Sequence, residues 1–311
     1  MKTLNPLLVF RMESRSDGFY QTAITGTPPN TTSHSARFDI VTGSGRKGQS
    51  FLSWNGDSLV QLPVSYWITP GHWINSPGYG DGSANFDRAV LSRCLECHAT
   101  YFQLIEAPGR YNKTNFILGI TCEKCHGSGR EHVARHTPGS GRAIRTGGIV
   151  NTGALARDKQ LELCGMCHGG ARVKPRGSSF SYTPGDPFDM YFDVAAAPAV
   201  PSARPEVHGN QVDLLRASRC FQASQMTCST CHDVHQSQRD VVSMSGKCLT
   251  CHKVESCGMF PKAGRKLAGQ CVECHMPNQT SGSVSVTTGG ANLQPRFRNH
   301  WIKVYPQGPR T

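Results

Sequence analysis

The chain has 311 residues, only 37% of them hydrophobic, together with 33 glycines and 19 prolines. This apolar share lies below the roughly 45–50% of ordinary globular domains, so side chains alone supply too little core for a chain of this length. The formal net charge of +12 would ordinarily indicate nucleic acid or an anionic membrane as the partner.

Near the N-terminus, MKTLNPLLVFR is a poor secretory signal, because Asn5 and Pro6 interrupt its apolar run and no small-residue cleavage site follows. No stretch of the chain approaches the roughly 18 apolar residues of a membrane helix. Residues 36–67 read as strands, since ARFDIVT, QSFLSW and SLVQLPVSYW are separated by the turn signals GSGRKG and NGD. They predict a small antiparallel β meander within an N-terminal segment, residues 1–90.

The rest of the chain is organised around one pentad, Cys-x-x-Cys-His, which occurs six times where chance predicts about 0.03 occurrences. Every Cys-x-x-Cys in the sequence is followed directly by histidine. The six pentads contain Cys94, Cys97 and His98; Cys122, Cys125 and His126; Cys164, Cys167 and His168; Cys228, Cys231 and His232; Cys248, Cys251 and His252; and Cys271, Cys274 and His275.

This pentad has the chemistry of covalent haem attachment. The two thiols add to the vinyl groups of one porphyrin, and the adjacent imidazole then binds the iron. A structural zinc knuckle has no reason to place histidine after every second cysteine, and a thioredoxin-like dithiol would occur once. The sequence therefore predicts six covalently attached haem c groups.

Six haems account for the composition and the charge. Each porphyrin is a large apolar plate, so stacked haems replace the side-chain core that the sequence lacks. Each haem also carries two propionates, whose negative charges offset the formal +12 of the protein. We therefore predict that nucleic acid is not a partner.

Each attachment histidine supplies one axial ligand, and seven other histidines remain for the opposite faces of the irons. We predict nearly complete bis-histidine ligation, with the second ligands being His34, His132, His136, His208, His235 and His300. His72, in a Gly/Pro-rich turn, is the surplus histidine. The methionines are expected to pack, because Met166 lies inside an attachment loop and Met276 directly follows an attachment histidine.

Chain length restricts what His235 can bind. It lies three residues after His232, and three residues span at most about 10–11 Å, less than the roughly 12 Å between Cα atoms on opposite sides of a haem. His235 therefore binds a neighbouring haem, or else faces solvent or a propionate. His132 and His136 lie four apart and share one face if GREHVARH is helical, so they serve two adjacent haems, or one of them bonds a propionate.

Two cysteines, Cys220 and Cys257, fall outside the pentads. Spare thiols outside the cytoplasm most often pair, and closing this loop would contribute roughly 3–4 kcal/mol in the loop-entropy model. We predict a Cys220–Cys257 disulfide, with two separate buried thiols as the alternative.

After the first pentad, LARDKQLELCGMC and VDLLRASRCFQ are helical candidates, and residues 184–205 read as a Pro-rich surface loop. Residues 91–311 form the predicted hexahaem region, to which segment 1–90 supplies a distal ligand. The predicted fold class is mainly irregular and α, a multihaem cytochrome array with the β meander near its N-terminus and a core of stacked haems.

Five stretches, CEKCHGSGREHVARH, HGNQVDLLRASRCF, MTCSTCHDVH, CVECHMPNQ and NHWIKVY, together resemble a large superfamily of multihaem c-type cytochromes. It includes the tetrahaem cytochrome of the hydroxylamine pathway, pentahaem nitrite reductase and the octahaem oxidoreductases. The resemblance runs from His34 to Tyr305. It implies closely spaced haems in alternating parallel and perpendicular pairs, with attachment outside the cytoplasm.

Two departures from that superfamily bear on function. Its nitrite reductases carry lysine in place of the motif histidine at the catalytic haem, and no CxxCK occurs here. Its hydroxylamine-oxidising members need a five-coordinate haem cross-linked to tyrosine, and generally eight haems. With ligands enough for all the irons, the sequence favours electron transfer over catalysis.

Two functional hypotheses follow. The first is an electron-transfer protein, either a carrier that meets other redox proteins or the protomer of an extracellular filament of identical subunits. The second is an oxidoreductase acting on a small nitrogen or sulfur compound at one haem with an open distal face. Both place the protein in the periplasm or at the cell surface, so we expect a leader that is missing from the given sequence, or a start other than Met1.

Overall fold

The computed structural model describes residues 1–43, 45–105, 108–139, 148–196, 210–238, 240–282 and 285–305. The fold is mixed, and its strands extend beyond the predicted meander. The chain divides into two compact units. Unit 1 comprises Met1–Gly148, Ser178–Ser181 and Val284–Pro295, and unit 2 comprises Ile149–Gly177, Tyr182–Ser283 and Arg296–Thr311.

Unit 1 begins with an antiparallel sheet of three strands in the order β1 (Leu8–Arg15), β2 (Gly18–Thr27) and β3 (Asn30–Arg37). Side chains alternate along β1, where Leu8 and Phe10 are buried, as expected for a strand with one face on a core. The predicted meander, residues 36–67, includes only the last two residues of this sheet.

The second sheet of unit 1 corresponds to the meander. Its strands are β4 (Ile40–Thr42), β5 (Gly48–Asn55), β6 (Ser58–Gln61), β7 (Val64–Trp67) and β8 (His72–Asn75). All of their pairings are antiparallel, with β5 next to β4, β6 and β7, and β8 next to β7. The predicted antiparallel β structure near the N-terminus is therefore confirmed.

Unit 1 also contains further helices and strands. They are α1 (Ser92–His98), β9 (Ala99–Leu104), β10 (Tyr111–Leu118), α2 (Cys122–His126), α3 (Arg130–His136), β14 (Val286–Thr288) and β15 (Ala291–Leu293). One cluster of eight buried residues includes Leu95, Phe102 and Tyr111, and another of seven includes Leu8 and Phe10. The α3 helix confirms that GREHVARH is helical.

Unit 2 is mainly short helices and irregular chain. Its elements are α4 (Arg157–His168), β11 (Val173–Pro175), β12 (Phe192–Val194), α5 (Gln211–Arg216), α6 (Arg219–Gln222), α7 (Val241–Cys248), α8 (Phe260–Ala263), α9 (Cys271–His275), β13 (Asn278–Thr280) and β16 (Arg296–Arg298). The two predicted helical stretches appear as α4 and as α5 with α6. Met166 is buried in a cluster of four residues, which confirms its packing role.

Residues 184–205 depart from the prediction of a surface loop. Phe188 and Phe192 are buried with their ring centroids 4.6 Å apart, and β12 pairs with β11. Burial of these aromatic side chains outweighs the local preference of the prolines. Residues 197–205 of this segment lie outside the described part of the chain.

The first two pentads lie in unit 1 and the other four in unit 2. We divided the sequence into segments 1–90 and 91–311 according to which segment supplies haem ligands. That division stays a prediction. Within the described ranges, no helix is long and apolar enough to cross a bilayer.

Candidate haem attachment sites

Each pentad folds into one helical turn. The helices α1, α2, α4 and α9 end on the histidine of a pentad. In the other two pentads, hydrogen bonds from His232 N to Cys228 O (2.9 Å) and from His252 N to Cys248 O (3.0 Å) close the same turn. Residues three and four apart share one side of such a turn, so both thiols and the imidazole of a pentad project to one side.

The cysteines are unusually accessible. All fourteen are exposed or half-buried, although cysteine is among the side chains most often buried in proteins. Large apolar side chains near the pentads are exposed too, among them Leu91 (53%), Ile120 (54%) and Val234 (73%). Haem c fits these surfaces, because a porphyrin held by the thiols would cover the apolar side chains beside them.

In unit 1, Phe180 contacts both pentads. Its backbone N–H donates to the buried Oε1 of Glu96 in CLECH, at 2.9 Å. Its ring centroid lies 5.1 Å from the ammonium nitrogen of Lys124 in CEKCH, within the range of a cation–π interaction. Phe180 therefore connects the first pentad to the second.

In unit 2, pentads contact one another in pairs through their thiols. The Cys164 thiol hydrogen-bonds to Cys228 and lowers the pKa of Cys228 to about 7. Cys248 contacts Cys271 in the same way, and burial raises the pKa of Cys248 to about 11. In each pair, two attachment thiols therefore lie close enough for one to shift the pKa of the other.

His300 lies against an attachment histidine. Its ring centroid is 6.2 Å from that of His232, with 33° between the ring planes. Its Nδ1 is 3.1 Å from Arg298 O. Burial lowers the pKa of His300 to about 4, and burial also lowers the pKa of His168 and of His232. All three imidazoles are consequently neutral at pH 7, the form that binds metals.

Two other predicted ligands share the α3 helix. The ring centroids of His132 and His136 are 4.5 Å apart, which confirms the predicted common face. Glu123, inside the preceding pentad, accepts a hydrogen bond from Gly129 N at 2.7 Å. This bond connects the CEKCH turn to the start of the helix that carries both histidines.

The remaining candidate histidines lie in less enclosed positions. His34, on β3, is exposed, and its ring centroid is 4.6 Å from that of Phe86. His235 is exposed in a turn three residues after its pentad histidine, and the surplus His72 is exposed on β8. His208 lies outside the described residues.

The two spare cysteines are not joined. Both Cys220 and Cys257 are free thiols, so the predicted disulfide is not confirmed. Besides burial, Cys220 raises the pKa of Cys231, whereas Cys257 raises the pKa of Cys274. Each spare thiol thus lies near attachment cysteines of unit 2.

Several residues that hold the pentads and ligands in place escaped the sequence analysis. Glu96 occupies one of the two positions of its pentad that the motif leaves variable. Ser218, whose Oγ lies 3.2 Å from His300 O, is remote from His300 in the sequence. Neither motif spacing nor hydrophobic periodicity marks such residues, since their partners are backbone atoms.

Comparison with known proteins points to the same cofactor. Residues 80–127, which contain the first two pentads, match the family described as Cytochrome c554 and c-prime. A curated relative, Multiheme cytochrome MtrA of Shewanella baltica (strain OS185), is 27% identical over 186 residues, which cover 54% of this chain and 54% of the relative. The chain thus matches about half the length of that relative, and no solved structure matches it. Both matches are to cytochromes, and together with the six attachment pentads of this chain they support a multihaem c-type cytochrome.

Proposed function

We propose that this protein is a hexahaem cytochrome that conducts electrons through closely spaced, low-spin, bis-histidine haems. The observation that carries the proposal is the common local fold of the six pentads, in which two thiols and an imidazole project to one side of a helical turn. Since all six pentads share this geometry, we assign one haem c to each.

The residues of the chain attach, orient and enclose this cofactor. When bound, each haem supplies an iron that changes between the ferric and ferrous states. The cysteine pair fixes the porphyrin edge, and the hydrogen bond from His275 Nδ1 to Lys303 O (2.9 Å) leaves Nε2 of that ring for the metal. Such a hydrogen bond, donated by the ring nitrogen that does not bind the metal, orients the imidazole and strengthens it as a ligand.

The proposed ligand set contains twelve histidines. Six belong to the pentads, and the others are His34, His132, His136, His208, His235 and His300. Two imidazoles on one iron keep substrates from the metal and keep the reorganisation on electron transfer small. This set favours conduction over the alternative, an oxidoreductase acting on a small nitrogen or sulfur compound at one open haem.

The thiol contacts of unit 2 support conduction between neighbouring centres. Cys164 shifts the pKa of Cys228, and Cys271 shifts that of Cys248, so haems attached at these neighbouring thiols would lie close together. We place the protein outside the cytoplasm, in the periplasm or at the cell surface. Its proposed partners are other redox proteins, or identical subunits in an extracellular filament.

A haem count combined with carbon monoxide binding tests the proposal. The purified protein is expected to contain six haems per chain by the pyridine haemochrome assay, and its reduced form to show almost no change of the Soret band with carbon monoxide. A count well below six contradicts the cofactor assignment. Binding at about one haem contradicts complete bis-histidine ligation and favours the oxidoreductase.

Electron microscopy of the same preparation separates the two forms of the electron-transfer protein. Discrete particles indicate a carrier that meets its partners transiently. Extended polymers of regular repeat indicate a filament of identical subunits.

A further inference from the structure

We infer that His300 is the second axial ligand of the haem attached at Cys228 and Cys231, opposite His232. The inference rests on the proposed function, because it requires a haem at that pentad. It deepens the proposal by assigning one of the distal histidines to a particular iron.

The separation of the two rings carries the assignment. A metal-bound imidazole nitrogen lies about 2 Å from its metal and the ring centre about 3 Å from it, so two rings on opposite sides of one metal are about 6 Å apart. The ring centroids of His232 and His300 are 6.2 Å apart. The observed separation therefore equals that expected for two imidazoles that share one metal.

The His300 ring is also held in a fixed orientation. Its Nδ1 lies 3.1 Å from Arg298 O, so this nitrogen donates a hydrogen bond and Nε2 is left to face a metal. An attachment histidine of another pentad, His275, makes the same type of bond to Lys303 O. His300 thus has the outer hydrogen bond that is typical of a metal-binding histidine.

The backbone on both sides of His300 is anchored within unit 2. Asn299 is fully buried, and its side chain donates to Gln279 Oε1 (2.7 Å) and accepts from Trp301 N (2.8 Å). The indole of Trp301 donates to Ala217 O at 3.1 Å. These bonds leave the ring of His300 little freedom to move away from His232.

A buried hydroxyl group joins the same segment to the helices. Ser218, between α5 and α6, has its Oγ 3.2 Å from His300 O. The Ser218 Oγ also accepts a hydrogen bond from Ile302 N at 2.8 Å. Ser218 is fully buried, as is Leu214 in α5. Hydrogen bonds to Ala217 and Ser218, in the turn between α5 and α6, therefore hold residues 300–302 in place.

Carbon monoxide binding to a series of reduced, haem-loaded proteins tests the pairing. The wild-type protein and the His72→Ala control are expected to bind almost none, whereas His300→Ala binds a single equivalent that imidazole displaces. Replacing Cys228 and Cys231 together by Ala removes the haem of that pentad. Adding His300→Ala to this double variant is then expected to produce no carbon monoxide binding.

A full equivalent bound by the combined variant would overturn the pairing, since His300 would then serve another iron, such as that of His168. Absence of binding by His300→Ala alone would overturn it too. A wild-type haem count below six, or binding of carbon monoxide by the wild-type protein, contradicts the proposed function instead. The two failures are thus distinguishable.

A spectrally marked haem gives a second test that does not require losing a cofactor. Cys231→Ala keeps the haem through one thioether, and its remaining vinyl group moves the α band of that haem to longer wavelength. In the protein carrying both Cys231→Ala and His300→Ala, carbon monoxide is expected to change the shifted band. A change confined to the unshifted bands would place His300 on a different iron.

Discussion

At the scale of single residues, a buried carboxylate lies inside an attachment pentad. Glu96 is 4% exposed, and its Oε1 accepts the backbone N–H of Phe180 at 2.9 Å. Phe180 has a φ of 62°, in the left-handed region that residues other than glycine rarely adopt. The hydrogen bond that the Phe180 N–H donates to Glu96 therefore compensates for an unfavourable backbone conformation at a residue that contacts the first two pentads.

We expect Glu96→Ala to lower the free energy of unfolding by about 1–3 kcal/mol, because the Phe180 N–H loses its acceptor. Denaturant unfolding of the haem-loaded protein, followed at the Soret band, measures the change. Glu131→Ala is the matched control, since Glu131 is exposed on α3 and its loss should change stability by less than about 0.5 kcal/mol. Equal losses in the two variants would contradict a structural role for Glu96.

The attachment thiols and imidazoles could be predicted from the sequence because the chemistry of haem attachment fixes their spacing. Sequence reasoning also selected His300 as a ligand, but it had no means of finding the partners that orient the ring. Arg298 contributes only its carbonyl oxygen, and Ser218 only a hydroxyl group far away in the sequence. Backbone acceptors leave no pattern in the residue types, so these partners were visible only in the fold.

At the scale of elements, periodicity predicted well where packing agreed with local preference. QSFLSW lies within β5, and LARDKQLELCGMC contains most of α4. The first hairpin was missed although Leu8 and Phe10 alternate with exposed residues, because this apolar run was weighed only as a signal segment. In residues 184–205 tertiary burial of two phenylalanines decided the structure, and a single sequence does not report such burial.

The helix that leads into the fifth pentad has a side-chain cap. Asp240 accepts hydrogen bonds from Val242 N (3.3 Å) and Ser243 N (2.7 Å) at the start of α7, where the first amides of a helix have no partner inside it. The helix ends on Cys248, so the cap contributes to the position of an attachment cysteine.

We expect Asp240→Ala to lower the free energy of unfolding by about 0.5–2 kcal/mol, the usual cost of losing such a cap. Asp240→Asn should change it far less, because the amide oxygen accepts the same hydrogen bonds. Thermal unfolding of both haem-loaded variants makes the comparison. If Asn destabilises as much as Ala, the negative charge and not the cap supports this helix.

At the scale of the whole molecule, the two units differ in how much apolar side-chain core they contain. Among the described residues, the buried clusters of unit 1 have eight and seven members, whereas those of unit 2 have four and three. Unit 2 nevertheless carries four of the six pentads. On the proposed function, haems bound at these pentads would supply a larger share of the core in unit 2 than in unit 1.

We accordingly expect the haem-free protein to keep the sheets of unit 1 and to lose the fold of unit 2. Without porphyrins, the small clusters of unit 2 bury too little apolar surface to offset the entropy of an ordered chain. Hydrogen exchange measured by mass spectrometry tests this, with the haem-loaded protein as control.

Amides of β5 should exchange slowly in both forms, and amides of α4 and α5 should exchange slowly only when haem is attached. Equal protection of α4 in the two forms would mean that side chains alone hold unit 2, whereas loss of protection in β5 would extend the dependence on haem to both units.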